Sequence, residues 1–101
     1  MKARKIQFVV NVVKWFDKVN GNTYHSCRIV RMKDNATLSC PFTYGYGEHY
    51  RQTTFEAMIK EKWIKGYTKQ TAYARYESDN NYPIVWNVTD GLKRDCVANG
   101  K

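Results

Sequence analysis

The chain has 101 residues, a net charge of +8 and a hydrophobic content of 43%. This length predicts one domain, and this hydrophobic content is typical of a folded protein and excludes a disordered tail. No apolar run approaches the ~20 residues of a membrane span, and no signal peptide is expected at the basic start of the chain.

Two strands joined by a tight turn are predicted near the start, over residues 5–16 and 23–32. Both alternate in side-chain character, and both faces of the first are mostly apolar, which favours a central position in a sheet. The connection contains Asn20-Gly21. This pair is a strong hairpin signal because both residues tolerate a positive φ. We therefore expect an antiparallel hairpin.

A third strand is predicted over residues 36–42, and Pro41 near its end favours an edge position because proline cannot donate to a ladder. A helix is predicted over residues 48–65, with Gly66 placed to end it. Four apolar side chains fall on one face of this helix at the expected spacing. They are Phe55, Met58, Ile59 and Trp63.

Residues 67–81 fit either a short second helix or an irregular strand, and we prefer the helix. Pro83 enforces a break before a last strand over residues 84–89. The tail, residues 92–101, is expected to be frayed. The order β-β-β-α-α-β predicts an α+β fold in residues 1–101, with an antiparallel sheet of about four strands and one main helix packed on one face.

The positive charge is concentrated in the first third of the chain. The first 33 residues hold eight of the 17 lysines and arginines but one of the nine acidic residues, Asp17. Such asymmetry points to a polyanionic or acidic partner. The alternative is a cationic surface that serves solubility alone.

Tyrosines lie close in sequence to these cations, a pattern in which nucleic-acid bases stack on rings while lysine and arginine hold phosphates. The alternative is that several tyrosines form a second core layer, with their hydroxyls at its rim. The candidate binding residues are Lys14, Lys18, Tyr24, His25, Arg28, Arg31, Tyr44, Tyr46, His49, Tyr50 and Arg51.

The sequence contains no recognisable motif for a metal site or a catalytic site. His25 and His49 stand outside any metal-ligand spacing, so we expect no catalytic residue, no metal and no cofactor. Gly45 and Gly47 could let backbone N–H groups approach an anion before the helix, although a loop that merely needs glycine backbone angles explains them as well. The three cysteines (Cys27, Cys40 and Cys96) are odd in number and irregularly spaced, which predicts reduced thiols in a cytosol.

Three segments together resemble a group of small uncharacterised proteins of phages, prophages and microbial genomes. They are WFDKVNGNTYH (residues 15–25), PFTYGYG (residues 41–47) and VTDGLKRD (residues 88–95). The group has no established activity, so the resemblance implies no catalytic residue. It implies a phage-type protein located in the cytoplasm of a microbial host cell.

We expect a non-enzymatic binding protein, monomer or homodimer, whose basic, tyrosine-rich first hairpin contacts nucleic acid and which has no contact with membranes. One alternative is an inhibitor that docks on an acidic host protein or a defence complex, in a groove that normally holds nucleic acid or a ligand. Another is a protein that binds a small anionic nucleotide in the loop of residues 44–50.

Overall fold

The computed structural model describes residues 5–45, 47–68 and 70–101. These residues form a four-stranded sheet and three helices, so the predicted α+β class is confirmed. The strands are β1 (Phe8–Asp17), β2 (Asn22–Arg31), β3 (Ala36–Tyr44) and β4 (Ile84–Asp90), and the helices are α1 (His49–Lys60), α2 (Tyr73–Asp79) and α3 (Lys93–Asn99). The predicted order is correct as far as β4, and α3 is an addition to it.

The sheet is mixed, which corrects the predicted antiparallel topology. Its strand order is β3-β2-β1-β4, and β4 pairs parallel to β1 while the other two pairings are antiparallel. A parallel pairing requires a crossover connection. Helices α1 and α2 supply it, because they carry the chain back to the end of the sheet where β1 starts and Phe8 pairs with Ile84.

A four-residue loop joins β1 to β2, so the turn occurs where it was predicted but is longer than an Asn-Gly turn. Asp17 and Asn22 are the last paired residues. The side-chain amide of Asn20 donates to Asp17 Oδ2 at 2.8 Å, and the backbone N–H of Val19 donates to Asp17 Oδ1 at 3.0 Å. These bonds lower the pKa of Asp17, the side-chain bond of Asn20 most of all. The carboxylate therefore holds the loop in one conformation.

The hydrophobic core lies between one face of the sheet and helices α1 and α2. Side chains that alternate along the strands face these helices, as the pleat requires. The buried set comprises Phe8, Val10, Val12, Cys27, Ile29, Cys40, Tyr50, Phe55, Met58, Tyr76 and Ile84. The predicted anchoring of the main helix through Phe55 and Met58 is thus confirmed.

The main helix ends five residues earlier than predicted. Lys62 adopts φ 61°, and the N–H of Trp63 donates to the carbonyl of Met58 at 2.9 Å, which together close the helix in a Schellman-type turn. Gly66 therefore lies beyond the helix end. Trp63 leaves the helix face and stacks on Phe8 with a ring-centroid distance of 6.1 Å.

Glu77 connects α2 to α1 and β4. Its buried carboxylate accepts a hydrogen bond from Trp86 Nε1 at 2.9 Å and from Arg51 Nη1 at 3.2 Å. The helix preferred for residues 67–81 is present but short, because it covers only Tyr73–Asp79. These hydrogen bonds therefore hold α2 in place together with the core contacts of Tyr76.

The tail expected to fray forms α3 and packs on the opposite face of the sheet. The Cys96 thiol is buried and donates to the carbonyl of Val13 at 3.2 Å, while Ser26 donates its hydroxyl to the carbonyl of Cys96. A Cβ atom on Gly100 would lie 2.8 Å from the carbonyl oxygen of Cys40, so the absent side chain permits close contact with β3. No helix within the described residues is long and apolar enough to cross a membrane.

Candidate functional site

The candidate residues fall on two opposite faces of the sheet, so the structure does not gather them into one surface. His25 and Arg31 lie on the face that α1 covers, together with Lys14, which pairs with His25 across β1 and β2. Tyr24 and Arg28 lie on the face that α3 crosses. The reason is the period of two along a strand, which sends successive side chains to opposite sides.

The candidates of helix α1 differ in their accessibility. Tyr50 is buried in the core, with its ring edge-on to Trp86 at 5.4 Å. His49, the first residue of α1, is exposed. Tyr46 lies outside the described residues.

Two of the three candidate arginines have their charges compensated locally. Arg31 donates two hydrogen bonds to Asp34, at 3.0 and 2.7 Å, and its guanidinium carbon lies 4.6 Å from the centre of the Trp63 ring. Arg51 donates to Glu77 and lies 3.8 Å from Glu48. Neither arginine is available as a free cation for a polyanion.

His25 is a buried hydrogen-bonding residue, with 1% of its surface exposed. Its Nδ1 lies 3.2 Å from the carbonyl of Gly45, and its Nε2 lies 2.8 Å from the hydroxyl of Thr53. Because a carbonyl can only accept, neutral His25 donates its Nδ1–H to Gly45 and accepts from Thr53 at Nε2. The ring therefore ties the end of β3 to α1 and offers no free nitrogen to a ligand.

Burial lowers the pKa of His25 from its ordinary value of 6.5. Since the unfolded chain then binds more protons than the folded one, we expect stability to fall as the pH drops below about 6.5. Urea unfolding at pH 7.5 and pH 5 measures this loss. His25→Gln should flatten the dependence. A pH dependence that persists unchanged in His25→Gln would assign the effect to other groups.

Four aromatic rings form a continuous surface on the face that α3 crosses. We call this surface the aromatic patch; it consists of Trp15, Tyr24, Phe42 and Tyr44. Tyr24 is central: its ring stacks on Phe42 at a centroid distance of 4.8 Å and on Trp15 at 5.5 Å, and it meets Tyr44 edge-on at 5.7 Å. Tyr44 is 54% exposed and the other three rings are half-buried.

Helix α3 bounds the aromatic patch on one side. Ser26, two residues beyond Tyr24 on β2, lies beneath Cys96 of α3, so the helix crosses the sheet between Tyr24 and Arg28. Arg28 is on the far side of α3, where its guanidinium donates to the carbonyl of Lys101 at 3.2 Å. Arg28 is therefore separated from the tyrosine with which the sequence grouped it.

Two lysines stand near the aromatic patch. The ammonium of Lys93, at the start of α3, lies 5.6 Å from the centre of the Trp15 ring. Lys18 is exposed in the loop that follows β1, directly after Asp17, which pairs with Asn22 at the same end of the sheet. Lys18 was among the predicted binding residues, but Lys93 was not, because the tail was expected to be frayed.

Trp15 and Phe42 also belong to the site and were missed as binding residues. Both lie in segments that the sequence had singled out, at residues 15–25 and 41–47. A pairing register for the hairpin would have identified Trp15, since it lies directly opposite Tyr24. Phe42 could be placed only once the bulge between β2 and β3 was known, because that pairing shifts its register between His25 and Cys27.

The loop of residues 44–50 borders a shallow cleft at the N-terminus of α1. Its lining in the described part of the chain includes the carboxylate of Glu48 and no lysine or arginine. Arg51 pairs with Glu48 at 3.8 Å but does not line the cleft, and a carboxylate in the lining disfavours an anionic ligand. The cleft does not strengthen the nucleotide hypothesis.

No family model, no curated protein and no solved structure matches this chain. Within the described residues, no group of three or more histidine, cysteine or acidic side chains is arranged to hold a metal ion. The function must therefore be inferred from the surface itself.

Proposed function

We propose that this protein binds single-stranded nucleic acid, without catalysis, through the aromatic patch at the loop end of its first hairpin. The observation that supports this most is the stack of Trp15, Tyr24 and Phe42 on an open part of a sheet face, with Tyr44 exposed beside it. Rings held by a rigid sheet at this spacing offer stacking surfaces for unpaired bases.

Single strands fit this surface better than duplexes do. Bases in a duplex are stacked on one another, and only their edges and the phosphates are accessible. An unpaired base can instead place its face on the exposed ring of Tyr44, which contributes about 1–3 kcal/mol per stacked base. Lys18 and Lys93 lie where they can contact the phosphates of such a strand, and the net charge of +8 favours its approach.

The proposed setting follows from the resemblance to small phage and prophage proteins. We propose that the protein acts in the cytoplasm of a microbial host cell, as a monomer or homodimer. Single strands are exposed there during replication and transcription. Docking on a host or defence protein is the competing use of the same surface, because exposed aromatic rings also serve as anchors in protein interfaces.

The test is fluorescence anisotropy with a labelled single strand and the matched duplex, at about 50 and 200 mM salt. We expect binding to the single strand to be tighter and to weaken steeply as salt rises, since phosphate contacts release counterions. Tyr44→Ala should reduce the affinity roughly 5- to 150-fold, the equivalent of one lost base stack. Lys18→Glu should weaken binding and reduce its salt dependence.

Two control variants make the same kinds of substitution at exposed positions outside the aromatic patch. Phe16→Ala removes a ring of similar exposure from the opposite face of β1, and Lys65→Glu reverses an exposed charge beyond α1. Neither should change the affinity. Equal losses in Tyr44→Ala and Phe16→Ala would contradict the proposal. Absence of binding to any strand, with an acidic host protein retained after nuclease treatment, would favour the docking alternative.

A further inference from the structure

Cys27 and Cys40 lie directly opposite each other on the adjacent antiparallel strands β2 and β3. Both thiols are free and buried, with exposures of 0% and 3%. The third thiol, Cys96, is equally buried but belongs to α3, which packs on the opposite face of the sheet. The fold thus creates one pair of facing thiols and leaves one isolated thiol.

The spacing of the pair suits a disulfide. Opposed residues of antiparallel strands have Cα atoms about 4.5–5.5 Å apart, within the 4.4–6.8 Å that disulfides span. Their Cβ atoms lie about 4.5–5.5 Å apart, somewhat more than the 3.5–4.5 Å of a relaxed disulfide. A bond formed here would draw the strands together and be more easily reduced than an unstrained one.

The surroundings also favour reaction at Cys27. A hydrogen bond from the Cys40 thiol lowers the pKa of Cys27, and burial opposes this effect. Burial raises the pKa of Cys96. Since the thiolate is the reactive form, Cys27 is a better nucleophile than Cys96.

We propose that Cys27 and Cys40 form a reversible disulfide when the folded protein meets hydrogen peroxide. The Cys27 thiolate attacks one peroxide oxygen, the O–O bond breaks, and hydroxide leaves and takes up the proton that Cys27 released. The resulting sulfenic acid at Cys27 is attacked by the Cys40 sulfur, the S–O bond breaks, and water leaves with the Cys40 proton. Peroxide is reduced to two water molecules, and the two sulfurs together lose two electrons.

A route for the oxidant exists at the edge of the sheet. β3 is an edge strand, and Pro41, next to Cys40, cannot donate a hydrogen bond to the ladder. The register shift between His25 and Cys27 interrupts the pairing at the same level. We expect local opening of this edge to expose the thiols to a molecule as small as peroxide.

The experiment treats the folded, reduced full chain with hydrogen peroxide and follows it by intact mass and peptide mapping without reduction. We expect the loss of two hydrogen atoms, a cross-link between the peptides of Cys27 and Cys40, a free thiol at Cys96, and full reversal by dithiothreitol. The Cys96→Ser variant should form the same cross-link at the same rate. Cys40→Ser should halt the reaction at the sulfenic acid of Cys27, which a sulfenic-acid probe detects.

Three results would overturn the proposal. They are a cross-link that includes Cys96, oxidation of all three cysteines at equal rates, and a Cys27–Cys40 cross-link that forms only in urea. The measurements on the unsubstituted chain decide between these outcomes even where Cys40→Ser fails to fold. The proposal does not depend on nucleic-acid binding, and its test needs no oligonucleotide.

Discussion

Phe55→Ala is expected to lower the free energy of unfolding by roughly 3–5 kcal/mol, the range for removal of a buried phenyl ring. Phe55 is 2% exposed, and its ring lies 5.7 Å from that of Tyr76 and 6.3 Å from that of Tyr67. The substitution empties the space between α1 and the segment that leads to α2. Urea or guanidinium unfolding at pH 7 measures the loss.

Phe16→Ala is the control for this prediction, because it removes the same ring from an exposed position at the end of β1. Exposed substitutions usually change stability by less than about 0.5 kcal/mol. A similar loss of unfolding free energy in both variants would contradict the placement of Phe55 in the core between α1 and the sheet.

Arg51→Met is expected to destabilise the protein by about 3 kcal/mol, since it leaves the Glu77 carboxylate buried without its cation. Glu77 would retain only the hydrogen bond from Trp86 Nε1. The cost lies at the lower end for a broken buried pair, because the Arg51 side chain is partly exposed. Glu77 joins α1, α2 and β4, so we also expect faster hydrogen exchange throughout α2.

Arg75→Met provides the matched comparison on α2. Arg75 pairs with Asp79 at 3.8 Å, but both side chains are largely exposed. Exposed ion pairs contribute about 0–1 kcal/mol, so this variant should stay close to the unsubstituted protein. If both arginine substitutions lower the free energy of unfolding by the same amount, the effect of Arg51→Met does not come from the burial of Glu77.

The strands were predictable because alternation of side chains records the pleat directly. The first strand was expected at residues 5–16 and occurs at Phe8–Asp17, and the second was expected at residues 23–32 and occurs at Asn22–Arg31. The four-residue loop between them was less predictable. A two-residue Asn20-Gly21 turn would place Trp15 opposite Ser26, whereas the observed loop places it opposite Tyr24.

These two registers differ by an even number of residues, so every side chain stays on the same face in both. The faces of the hairpin could therefore be inferred from local pattern, but the partners within a face could not. The contact between Trp15 and Tyr24 at the centre of the aromatic patch is one between partners within a face, so it could not be inferred from the sequence.

The candidate site shows the same division. Tyr24, Tyr44 and Lys18 were grouped as candidates from their closeness in sequence, and in the structure Tyr24 contacts Tyr44 near the end of the first hairpin. His25, next to Tyr24 in the chain, was included in the same set of candidates. His25 instead faces the core, because neighbours on a strand point in opposite directions. Proximity along the chain is thus a poor guide to a shared surface in a sheet.

By itself the sequence determined the α+β class, the location of the strands, the main helix and its apolar face, because each of these depends on interactions between near neighbours. Only the tertiary structure decided the parallel pairing of β4, the docking of α3 and the separation of Tyr24 from Arg28. Those features depend on contacts between residues far apart in the chain, such as Asn99 with Asn11 and Gly100 with Cys40. The contacts of Asn99 and Gly100 are made by small and polar residues, which leave no periodic apolar pattern from which they could be predicted.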